Sequence, residues 1–72
     1  MRKLAAAVLL AQKINEESWD KNRHFYNKDL RQSAEEACKQ VDLPATAVEP
    51  VYLLILTAWN DIQCWAEATI KG

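Results

Sequence analysis

Glycine is nearly absent from this sequence: one residue in 72, Gly72. A glycine-rich loop wrapping a phosphate is therefore excluded. Prolines are two, Pro44 and Pro50, while half of the residues are apolar. That balance excludes disorder and favours a helical globule. No β-branched alternation bounded by turn signals occurs, so no sheet is expected. Apolar runs fall far below the roughly 20 residues that span a bilayer, so no membrane partner is expected. Histidine occurs once and cysteine twice. His24, Cys38 and Cys64 stand apart, without the close ligand pair that fixes zinc on one turn, so no metal and no cofactor is expected.

Cys38 and Cys64 allow one disulfide at most, and without a secretory signal they read as small packed thiols in a cytoplasmic protein. The start, MRKLAAAVLLAQ, imitates a signal peptide, but its run from Leu4 to Ala11 is short and equally suits an amphipathic helix. Cysteine catalysis needs a cation beside the thiol, and Cys38 sits between Ala34 and Val41 on an apolar face. The carboxylate pairs Glu16–Glu17 and Glu35–Glu36 are adjacent in sequence and diverge on a helix. No enzymatic activity is expected.

What is present is helical periodicity. Leu4, Ala7, Ala11, Ile14 and Ser18 recur at spacings of three and four, with Val8 beside them, which predicts a helix over about 2–21. Leu9 falls off this stripe and is expected to be partly exposed or to touch a partner. Asn22 is a helix-ending residue. Asp29 with Gln32 resembles a capping box, in which two side chains satisfy free backbone donors, and Asn27 is the competing cap. The second helix spans about 29–41 with Leu30, Ala34, Ala37, Cys38 and Val41 on one face. Asp42-Leu43-Pro44 ends it. Thr46 with Glu49 is a second candidate capping box, and Pro50 falls in the first turn of a third helix or restarts it; a short turn at Pro44 to Val48 with a slight kink after it is the equal alternative to one continuous helix.

That third helix, about 46–70, carries an alanine-free apolar run and two of the three tryptophans. Its broad face is Val51, Leu54, Ile55, Ala58, Trp59, Ile62, Trp65, Ala66 and Thr69; Leu53, Leu56 and Cys64 lie opposite. Apolar nearly all round in its first half, it is expected to be the long central helix of an all-α, three-helix single domain. Trp19, Trp59 and Trp65 are expected to pack large against small on alanine-rich neighbours.

Net charge is −1, which gives no bias toward polyanions. Cations dominate through Arg31 and carboxylates dominate after it, an arrangement that internal pairing would cancel. A domain of this size buries only about 60% of its unfolded surface and needs help from outside. The expected function is a small non-enzymatic protein–protein interaction module, an accessory or regulatory protein that pairs with itself as a homodimer through Leu53 and Leu56, with Leu9 a further candidate contact and another protein a second candidate partner. Otherwise the first helix covers this side, with Leu9 turned inward. The alternative is weak nucleic-acid binding by Lys21, Arg23, Phe25, Tyr26, Lys28 and Arg31, where cations and aromatics interleave. Against that, Phe25 and Tyr26 more readily serve to pin the loop on the core, with the cations solvating it. A helix-turn-helix is disfavoured, because the third helix offers Val51, Leu53, Leu54 and Leu56 rather than side chains that read base edges.

Overall fold

The computed structural model describes residues 2–21 and 30–72, with side chains of 2–17 and 30–72. Four α-helices follow in order: α1 Arg2–Lys21, α2 Leu30–Gln40, α3 Val48–Thr57 and α4 Trp59–Lys71, with a 3-10 turn at Ala45–Ala47 before α3. The described residues contain no strand, and the protein is all-α. The expected caps at Asn22, Asn27 and Asp29 lie outside the described residues.

The centre of the fold is α1, not the C-terminal helix that the length of its apolar run favoured. α1 packs against α2 and α4 and also touches α3. Ala5, Ala7, Val8, Ala11 and Gln12 are buried, and Leu4, Leu9, Leu10 and Ile14 pack half-buried around them. Projected at 100° per residue, the buried set covers an arc of about 160°, wider than a single-stripe surface helix shows. Three alanines in that arc remove side-chain bulk and let two helices come close. Small residues carry little weight in a hydrophobicity pattern, which hides this breadth in the sequence.

Helix α2 buries Ser33, Ala34, Ala37 and Cys38, with Leu30 and Val41 half-buried and Arg31, Glu35, Glu36 and Lys39 exposed. It ends in a paired closure: the Asp42 N–H donates to Lys39 O at 3.2 Å and the Leu43 N–H to Cys38 O at 2.8 Å. This Schellman arrangement requires a left-handed residue, and Asp42 supplies it with φ 61°. The Thr46–Glu49 box does not form. No side chain caps the 3-10 turn or α3, whose flanking residues are Pro44 and Ala47. Glu49 turns instead to Arg31 on α2. Pro50 sits third in α3, within the first turn, where the missing N–H costs no helical bond.

The predicted single helix over 46–70 is broken at Ala58, which has φ −150° and ψ 53°. Neither glycine nor proline is near. The cause is tertiary: α3 packs mainly on α2, whereas α4 packs mainly on α1. A straight helix cannot follow both partners. Bonds persist on either side, Ala58 N–H to Leu54 O at 3.1 Å and Ile62 N–H to Ala58 O at 2.7 Å. A continuous helix would add three more, from Trp59, Asn60 and Asp61, each worth about 0.5–1.5 kcal/mol net. Burial of α4 offsets that loss: Ala66 is buried, and Trp59, Ile62 and Trp65 pack half-buried against the core.

Candidate functional site

Helix α3 presents two faces of different fate. Val51 and Ile55, four residues apart, are buried in the core. Leu53 and Leu56, three residues apart, project on another side and remain 45% and 56% exposed. Because α4 turns away at Ala58, no described element of the chain covers them. The Thr57 hydroxyl donates to Leu53 O at 2.8 Å, so it is spent on its own helix beside the two leucines. The result is an exposed apolar step on α3, one helical turn beyond the exposed Glu49. Among the described residues, Ile70 on α4 is the remaining large apolar side chain with comparable exposure. Leu9, the third expected contact, is half-buried and packs against the core cluster of its own chain.

The candidate nucleic-acid segment is described only at its ends. The side chain of Lys21, and Arg23, Phe25, Tyr26 and Lys28 entirely, lie outside the described residues, as do the side chain of Trp19 and all of His24. Arg31 is described, and it is engaged within the fold: its guanidinium pairs with the Glu49 carboxylate and lies 5.4 Å from the centroid of the Tyr52 ring. An arginine over an aromatic face and against a carboxylate joins α2 to α3 and is drawn away from a phosphate.

The two cysteines have opposite settings. Cys64 is exposed, whereas Cys38 is buried, and both are free. Burial pushes the Cys38 thiol above its ordinary value, which disfavours the thiolate that catalysis or metal binding needs. Among the described residues no three His, Cys, Asp or Glu side chains gather to hold a metal. No described helix is long and apolar enough to cross a membrane.

Sequence reasoning missed one feature. A cleft of about 280 Å³ lies between the C-terminal half of α2 and the chain entering α3, lined by Glu35, Cys38, Lys39, Leu43, Ala45 and Val48. The closure at Asp42 creates it by folding Leu43 back over Cys38, a geometry that only the left-handed residue reveals.

Comparison with protein-family models, curated proteins and solved structures returns no match to this chain. The functional reading therefore rests on the geometry alone.

Proposed function

We propose that the protein is a small non-enzymatic interaction module that pairs with a second copy of itself through the outer face of α3. The observation that carries this reading is the adjacent exposure of Leu53 and Leu56. Half-exposed leucines still forgo about 1 kcal/mol each, on the scale of about 1.5–3 kcal/mol for a fully buried side chain. A two-fold pairing covers both leucines of each copy at once, and two-fold dimers are the commonest small assemblies. With so few side chains gained, and with the cost of immobilising two bodies, the dimer is weak and concentration-dependent.

Light scattering from micromolar to millimolar concentration tests this. In protein never exposed to denaturant, the wild-type mass is expected to rise toward the dimer, and Leu56→Glu is expected to stay monomeric with an unchanged helical circular-dichroism spectrum. A wild type that remains monomeric at the highest concentration refutes the pairing. An unfolded Leu56→Glu would assign that leucine to the monomer's own core. Sub-micromolar, sequence-selective nucleic-acid binding at physiological salt would move the protein to the other class.

A further inference from the structure

The bend at Ala58 supports a second mode of association, distinct from the α3 face. We infer that α3 and α4 merge into one helix when α4 leaves its own chain, and that the freed α4 docks on α1 of a second copy, each copy exchanging the same element.

The apolar positions Val51, Ile55, Ala58, Ile62, Trp65 and Thr69 alternate at spacings of four and three straight through the bend, so both helices already share one helical phase. A single residue, Ala58, has non-helical angles between them, and alanine is the best helix former. Turning it to helical angles aligns the N–H groups of Trp59, Asn60 and Asp61 with the carbonyls of Ile55, Leu56 and Thr57, bonds that the bent chain does not make. No side-chain cap at α4 would be lost.

What holds the bend is the packing of α4 on α1 together with one described side-chain bond, Gln12 Nε2 to Trp59 O at 3.0 Å. That clamp is half satisfied, because the buried Gln12 Oε1 has no partner among the described residues. A second copy offers the same α1 surface and the same glutamine, so exchange restores every α1–α4 contact and adds the three bonds at the hinge. Reciprocal exchange of an identical element is a low-cost route to a dimer when a hinge permits it. This dimer forms and separates slowly, because α4 must first leave α1, whereas pairing through Leu53 and Leu56 re-equilibrates on dilution.

The test is to refold the chain from denaturant at millimolar concentration, dilute it to low micromolar and follow the mass by light scattering over hours. The wild type is expected to show a dimer fraction that persists after dilution. Asp61→Pro is expected to abolish that fraction, since proline at the third position of α4 fits the bent chain, as Pro50 fits α3, but clashes with the Thr57 carbonyl in a merged helix. Asn60→Pro, one residue earlier and also exposed, is the second variant should the first fail to fold. Leu56→Glu keeps the persistent dimer and loses only the rapidly reversible one, so the two modes fail independently. Absence of a persistent wild-type dimer, or its survival in a folded proline variant, overturns the exchange.

Discussion

Asp42 holds a left-handed backbone, φ 61°, because the closure of α2 needs one there, and an L side chain pays for that angle in steric contact between Cβ and carbonyl. The strain is about 1–2 kcal/mol for an ordinary residue and less for aspartate. Asp42→Gly relieves it but frees the unfolded chain by about 0.4–1 kcal/mol. A net gain of about 0.5 kcal/mol is expected by urea titration, small because the exposed pair of Asp42 with Lys3, 3.9 Å apart, contributes little. Four positions earlier, Cys38 is a buried thiol whose ionisation the fold opposes. Its folded pKa lies above the ordinary 9.0, so the native state keeps a proton that the unfolded state gives up. The stabilisation is present in full below 9.0 and is lost as pH rises through the folded value. Alkaline destabilisation is expected to be shallower in Cys38→Ala than in the wild type, measured as urea midpoints from pH 8 to 10.5. Equal slopes would remove the thiol from the pH response. At neutral pH an alkylating reagent is expected to label Cys64 well before Cys38, with both reacting equally in urea.

At the scale of elements, α1 replaces the C-terminal helix as the organising helix, and its alanines explain how. Ala11 is fully buried within the core cluster. Ala11→Leu adds volume to a place with none to spare and is expected to destabilise by about 1–3 kcal/mol in urea, although leucine is nearly as good a helix former. On a helix packed from one side with room at the contact, the same change would be close to neutral, so the experiment measures how tightly α1 is enclosed. The bend between α3 and α4 is the complementary case. There local preference favours one straight helix, and tertiary contact with two different partners imposes two. That conflict is the ground for the exchange inferred above.

The whole molecule has a radius of gyration of 11.4 Å, close to the roughly 11 Å typical of a compact chain of this length. The uneven charge of the two halves is matched in part across the fold: Lys3 with Asp42, and Arg31 with Glu49, each join a cation of the basic half to a carboxylate of the acidic half. These pairs are exposed and add little stability. A domain this small has little in reserve, so the pairing proposed above would add directly to its stability. The thermal midpoint is therefore expected to rise with protein concentration in the wild type and to rise less in Leu56→Glu, which keeps only the exchanged dimer; the same concentration dependence in both would exclude the α3 face as the contact.

The sequence by itself determined the all-α class, the helical character of residues 2–21 and 30–40 and the inward face of α2. It also determined the apolar stripe shared by α3 and α4, and it singled out Leu53 and Leu56 as lying opposite that stripe. Periodicity carries this information because burial repeats with the helical turn. Tertiary structure alone decided three things. Alanines made α1 the centre, since close approach depends on what a side chain lacks and leaves no hydrophobic signal. Glu49 went to Arg31 rather than to a cap with Thr46, because a cation on another helix competes for a carboxylate that local spacing assigns to the backbone. The helix broke at Ala58, a residue with no local reason to break, because α2 and α1 draw its two halves in different directions.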